Sequence, residues 1–336
     1  METAKLVQTS SSKRIQVFVL DNLIWAIMIV LFIIFSLTIP NFFTILNIHF
    51  MFYDASAIGM LVFAQALILI SGNMDLSVAR NAGLTAMFIG MLVRVWAVGV
   101  IPTWAGIILM PLFGGVLGAV NGVLVGKVKI NPFLATLATF LIYDWMTYVI
   151  NEGAINNLGK ALDFPGGGTI FGLHFAIVVL VGVCAILYYV LQHTRFGSYL
   201  RAIGGNPEAA GMLGINLTAM NFWVFTIAGV LGGTAGLLYT GYLRTIPSTI
   251  ASGDAIFLSF AGAIIGGVSL RGGEGSIIGA LGGVLLLGLI DTGTTMTSVA
   301  PALRGVINGL ILLLAILINK SRVDLRDRIL MPRNAQ

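Results

Sequence analysis

Charge is what this sequence has least of. Asp, Glu, Lys and Arg make up 9% of 336 residues, where about 25% is typical of a soluble domain. So sparse a charge excludes both a water-soluble globular domain and a solvated disordered chain. The single cysteine, Cys184, cannot form an internal disulfide, and its place in the apolar run FAIVVLVGVCAILYYVL makes it a small packing residue. No G-x-x-x-x-G-K-[ST] string occurs; the glycine-rich stretches at 203–214 and 266–283 lack the Lys-Ser/Thr that would hold phosphate and magnesium. GGEGSIIGALGG follows no predicted strand, so it is no dinucleotide fingerprint either. His49, His174 and His193 have no ligand spacing to one another or to carboxylates, so no metal site is expected and all three are placed at the membrane interface. Without a nucleophile, base or metal constellation, a membrane enzyme is the weakest functional class.

What is present is apolar: 58% of the residues, with a mean hydropathy of +1.00. Apolar runs long enough to cross a bilayer as helices, about 20 residues each, fill the chain from Leu23 to Ile318. The pattern predicts an all-α integral membrane protein, a polytopic bundle of about ten transmembrane helices, some of them discontinuous. The expected spans are 23–39, 55–71, 83–100, 104–126, 133–150, 172–191, 219–242, 255–270, 276–292 and 302–318. SFAGAIIGGVSLRGGEGSIIGALGG is interrupted by glycines, Arg271 and Glu274, as half-crossing helices are. The opening 1–22 lacks a small-residue cleavage pattern, so the first span is read as retained behind a cytoplasmic tail.

Basic residues set the expected orientation. With both termini cytoplasmic, Lys5, Lys13, Arg14, Arg80, Lys127, Lys129, Arg195, Arg201, Arg271 and a basic tail at 319–336 fall inside, and Lys160 and Arg244 outside. The net charge of +5 is then a topology signal and not a nucleic-acid footprint. A transmembrane domain at 23–318 therefore carries one long cytoplasmic loop, 192–218.

That loop contains GGNPEAAGMLGIN. Asn206 is a good N-cap, Pro207 suits the first helical position, and Glu208 favours the positive end of the helix dipole. Ala209 and Ala210 extend the helix, Gly211 weakens it, and Gly214 is placed to end it in a left-handed cap. About two turns are too few to stand alone in water. The helix presents Ala210, Leu213 and Met212 on one side, either to a groove in a partner or to the chain's own cytoplasmic surface.

Within the spans, glycines recur every fourth residue, at Gly114, Gly118 and Gly122, at Gly229 and Gly233, and at Gly275, Gly279 and Gly283, as close helix packing in lipid requires. Asp144 either lines a route or pairs, Arg94 being its nearest expected partner. Asp75, with Asn73 and Ser77, is suited to capping a broken helix. Asp291, with Thr292, Thr294 and Thr295, is placed at an outer mouth. Gln65, Asp75, Asn121, Tyr143, Asn221 and Trp223 are candidate pathway residues, since sugar hydroxyls need hydrogen-bond partners and sugar faces suit aromatic rings.

Four stretches, spanning about Gly72 to Leu314, resemble one family. Glu208-Ala209-Ala210 followed by Gly214 is similar to the EAA loop of bacterial ABC importer permeases, and RAIGGNPEAAGMLGIN looks like its form in the ribose and monosaccharide permeases. GNMDLSVA, NGVLVGKVKINPFLATLAT and GGVSLRGGEGSIIGALGG resemble further motifs of those permeases, in the same order. Asn73, Met74, Arg80 and Glu274 depart from the family pattern, which bears on substrate preference. The resemblance implies a permease subunit importing a monosaccharide through the inner membrane by alternating access. Gly205, Asn206, Pro207, Glu208, Ala209, Ala210, Leu213 and Gly214 would form the helix that couples to an ATP-binding cassette subunit. This chain itself would hold no cofactor, ATP and magnesium being bound by that partner. A periplasmic sugar-binding protein and a second permease copy are the other implied partners. The alternative class is a stand-alone secondary transporter or channel using Asp75, Asp144 or Asp291 as its coupling carboxylate.

Overall fold

A computed structural model of the chain describes residues 23–251, 254–297, 299–300 and scattered helical positions between 303 and 317. The expected tails, 1–22 and 319–336, and much of the expected last span, 302–318, lie outside the described residues. The described chain runs through α1 (Leu23–Thr38), α2 (Ile45–Ile70), α3 (Val78–Met91, prolonged by a wider turn over Leu92–Trp96), α4 (Ala105–Gly126), α5 (Pro132–Ile150) and a short α6 (Lys160–Gly167). It continues through α7 (Phe175–His193), α8 (Arg195–Gly205), α9 (Pro207–Met212), α10 (Leu217–Leu243), α11 (Asp254–Ile265) and α12 (Ile277–Met296). Among the described residues, sheet is confined to two-residue pairs in the loops at one end: β1 (Ala154–Ile155) against β4 (Ile246–Pro247), and β2 (Thr169–Ile170) against β3 (Leu173–His174). Among the described residues, seven helices are long and apolar enough to cross a membrane, and α1 and α11 are shorter apolar helices.

Local chemistry sets where these helices begin. Thr44, Asn131, Asn206, Asn216 and Ser276 each precede a helix and accept a hydrogen bond from a backbone N–H of its first turn, satisfying donors that the helix itself leaves free. Two expected boundaries are corrected. The second span begins at Ile45 and not at residue 55, because Asn47, His49 and Asp54 diluted the apolar signal at one end of a 26-residue helix. The third begins at Val78 and not at 83, so Arg80 belongs to a helix and not to a loop.

The apolar content sorts the helices. α2 is 89% buried over its most apolar window and forms the axis, while α4, α5 and α7 are only 28–33% buried and form the rim with their apolar faces outward. α2 touches α10, α11, α12 and α7. The most extensive contact between helices is α4 against α10, and glycines make it possible: a Cβ at Gly114 would stand 2.7 Å from the Gly233 Cα, and one at Gly118 2.8 Å from the Gly229 Cα. Gly122 abuts the Phe222 backbone in the same way. On α12, Gly279 and Gly283 lie against the carbonyls of Gly266 and Gly262. Where no apolar solvent drives helices together, such backbone approach supplies the dispersion contact that holds them.

Two interruptions break the bundle on one side: residues 71–77 between α2 and α3, and residues 266–276 between α11 and α12. Both lie beside α8. We call this the coupling end, and the opposite one the far end.

Candidate functional site

At the coupling end, α8 and α9 form the expected loop. Asn206 is extended (φ −154°, ψ 98°), and its side chain accepts from the Ala209 N–H at 2.9 Å. Gly214 takes φ +83°, a left-handed conformation that side chains disfavour, and its N–H donates to the Gly211 carbonyl. One expectation is corrected: Ala210 is buried, so it seats the helix on this chain. Met212 and Leu213 are 83% and 82% exposed and form the outward surface.

The base of this loop rests directly on both interruptions. A Cβ at Gly204 would collide with the Ile70 carbonyl and lie 2.5 Å from the Gly273 nitrogen. A Cβ at Gly272 would lie 2.7 Å from the Gly72 Cα, and one at Gly273 2.9 Å from the Gly205 Cα. The Gly273 N–H donates to the Ile70 carbonyl at 2.9 Å. Backbone therefore meets backbone where three chain segments cross. The polar peptide groups freed by broken helices are paired inside protein, as a low-dielectric environment demands.

Just beyond lies a buried polar seam that gathers several of the expected pathway residues. Asn73 donates to Ser71 Oγ at 2.8 Å and to Asn221 Oδ1 at 2.9 Å. The Asp75 carboxylate accepts from the Ser77 N–H and hydroxyl at 2.6 and 2.7 Å, closing the turn that starts α3. Asn121 donates to Ser77 Oγ at 2.8 Å and accepts from the Thr139 hydroxyl at 2.9 Å. The Tyr143 hydroxyl donates to the Leu117 carbonyl at 2.9 Å. Gln65 lies elsewhere on α2, fully buried, and neither of its amide atoms has a partner among the described residues. Trp223 is 54% exposed on the outer side of α10, edge-to-face with Phe222.

The charged residues sort differently from expectation. Asp144 pairs with Arg80, at 3.0 Å, and not with Arg94. The Arg80 guanidinium also lies over the Phe140 ring, 5.5 Å from its centroid. Arg94 instead donates to the Asn157 carbonyl in the far-end loops.

At the far end, α2, α6, α7, α10, α11 and α12 line a cavity of about 270 Å³. Asp54 and Asp291 stand exposed in its lining with Tyr53, Tyr239 and Tyr242. Tyr242 lies beside the Asp54 carboxylate in this lining, and the Tyr53 and Tyr242 rings are 5.1 Å apart. Tyr53 stacks on His174 at 3.8 Å, and His174 Nδ1 lies 2.6 Å from His49 Nε2. Their sequence spacing carried no sign of this contact, which the fold makes between two rings far apart in the chain. Burial, with the neighbouring His49, holds His174 below the ordinary histidine range. Among the described residues, no group of three or more His, Cys, Asp or Glu side chains could hold a metal.

The family model for the branched-chain amino acid transport system permease component matches residues 47–316. The chain is 34% identical over 298 residues to the ribose import permease protein of Bacillus subtilis (strain 168), covering 87% of this chain and 90% of that one. It is 30% identical over 303 residues to the ribose import permease protein of Escherichia coli (strain K12), with 88% and 92% coverage. It is 33% identical over 293 residues to the L-arabinose transport system permease protein of the same strain, with 87% and 88% coverage. No solved structure matches.

Proposed function

We propose, from the premise that the chain belongs to the branched-chain amino acid transport system permease family, that it is the membrane-spanning subunit of an ATP-driven importer of a monosaccharide. The observation that carries this reading is the small helix at Asn206–Gly214, capped, anchored through Ala210, and offering Met212 and Leu213 outward. Apolar knobs on a short rigid helix suit a groove in a partner. The partner is an ATP-binding cassette subunit that binds ATP and magnesium; this chain hydrolyses nothing. The similarity to ribose and arabinose permeases supports the sugar class.

The mechanism follows from what the coupling helix touches. A shift of α9 moves α8, whose terminal Gly204 and Gly205 bear on Gly72, Gly272 and Gly273. The interruptions end α2 and α11 and begin α3 and α12, so these helices tilt and the seam through Asn73, Asn221, Asn121 and Thr139 rearranges. Discontinuous helices suit such motion because they hinge without breaking a continuous hydrogen-bonded ladder. The termini and the coupling loop are placed in the cytoplasm of a bacterial inner membrane, with the far end facing a periplasmic sugar-binding protein and a second copy completing the channel.

The test is uptake of labelled ribose and arabinose by cells carrying this chain with its neighbouring transport subunits. Collapse of the ion gradients should leave uptake intact while removal of cellular ATP abolishes it; the reverse pattern rejects the reading in favour of ion coupling.

A further inference from the structure

We propose that the far-end cavity is a monosaccharide seat contained within one chain, where the sugar is held between its release by the delivery protein and its passage inward. This rests on the reading of the chain as a sugar importer. Size comes first: about 270 Å³ is near the lower end of small-ligand pockets, roughly 300 Å³. That space suits a single sugar ring and is too small for an oligosaccharide.

The lining then selects chemistry. A sugar presents hydroxyl donors around its edge and C–H groups on its faces. Asp54 and Asp291, both exposed, supply carboxylate acceptors from α2 and α12, on different walls. Tyr239 and Tyr242 supply ring faces, and these two with Tyr53 supply hydroxyls that both donate and accept. Ile58, Leu238, Leu258 and Leu287 add apolar lining that suits the C–H faces of a sugar. Two carboxylates disfavour an anion. A divalent metal is disfavoured in turn, because no third ligand of the His, Cys, Asp or Glu type accompanies the pair among the described residues.

The wall is also braced. The Tyr53 ring is held between His174, stacked at 3.8 Å, and Tyr242 at 5.1 Å. A ring fixed on both sides loses little freedom when a ligand arrives, which keeps more of the contact energy for binding. The floor points inward: Asp54, Ile58 and Gln65 follow one another at helical spacings of four and seven along α2, which places them on one face. Gln65, with both amide atoms unpartnered, is the next polar group along that face. A sugar leaving the seat toward the seam would give that amide its first partners.

The experiment uses the transporter purified with its ATP-binding subunit and binding protein, reconstituted in liposomes, with D-ribose and L-arabinose as probes. Leu258→Trp fills the cavity, Tyr239→Phe removes one hydroxyl, and melting temperature and subunit stoichiometry establish that each variant assembles. With saturating loaded binding protein, Leu258→Trp should lower uptake of the probe that wild type carries by at least about tenfold, and Tyr239→Phe by a few-fold. The wild-type chain alone in nanodiscs should give a saturable magnetisation-transfer signal with that sugar, absent in Leu258→Trp. Assembled variants that transport at the wild-type rate, or an undiminished signal in Leu258→Trp, overturn the seat and leave the importer reading standing. A wild-type complex that moves neither sugar on ATP overturns the importer reading, and the seat with it.

Discussion

Arg80 Nη1 lies 3.0 Å from Asp144 Oδ1, joining the first turn of α3 to the middle of α5 with both side chains largely hidden from solvent, at 11% and 19% exposure. A buried pair of this kind is more sensitive to the loss of one partner than of both, since a lone charge stays behind without compensation. Asp144→Asn or Arg80→Gln should therefore destabilise the protein by about 3–5 kcal/mol, whereas Arg80→Met combined with Asp144→Leu recovers most of that. A double-mutant cycle on thermal unfolding in detergent checks this.

Coupling makes a separable prediction. Glu208→Lys or Gly214→Val should leave the chain inserted and folded while ATP hydrolysis no longer drives uptake. Asn206→Ala, which removes the cap on the Ala209 N–H, should destabilise the helix by about 1 kcal/mol and weaken co-purification of the ATP-binding subunit. Normal uptake in both Glu208→Lys and Gly214→Val would mean that this helix is not the coupling element.

Gly204 and Gly205 provide a matched pair of substitutions. A Cβ at Gly204 runs into the Ile70 carbonyl, while one at Gly205 meets nothing within 4 Å. Gly204→Ala should sharply reduce both melting temperature and transport, and Gly205→Ala should differ little from wild type. Equal behaviour of the two would show that the crossing is looser than its geometry indicates.

Gln65 is expected to lower the stability of the resting state. An unpartnered buried amide costs about 1–3 kcal/mol, so Gln65→Met should raise the melting temperature of the purified protein. If the amide gains partners during the cycle, the same variant slows ATP-driven uptake. A variant neither more stable nor slower would remove Gln65 from both roles.

The contact between His49 and His174 gives a pH dependence whose sign is fixed. His174 is held below the ordinary histidine value in the fold, so the unfolded chain takes up its proton first as pH falls. Stability is then complete above the ordinary histidine range and declines as pH drops through it. Thermal unfolding followed against pH should show this decline in wild type and a shallower one in His174→Phe.

Sequence made the helices, and much of the coupling loop, legible, because those signals are local. Asn206, Pro207 and Gly214 act within one short helix, and the four-residue spacing of Gly114 and Gly118 and of Gly229 and Gly233 marks faces whatever they face. The pairing of Arg80 with Asp144 and of His49 with His174 left no such trace, since each joins residues that only the bundle brings together. Arg80 looked like a loop residue because α3 starts inside the protein, where no polar linker announces it. The far-end cavity was hidden for the same reason: its lining comes from six helices, and only Asp291 among its carboxylates stood out as belonging to a mouth. The true start of α2 was masked by Asn47, His49 and Asp54, polar residues on a helix that is about 39 Å long at 1.5 Å per residue and so exceeds the roughly 30 Å hydrocarbon core.

The crossing of Gly72, Gly204 and Gly272 has a mechanical meaning. Side chains between two moving parts act as springs, because they change rotamer and absorb small displacements before passing them on. Main chain pressed against main chain has no such play. On the proposed reading, a push delivered at Met212 and Leu213 would reach the two hinge segments together and undamped, so α2 and α11 would answer the same stroke in phase rather than one after the other.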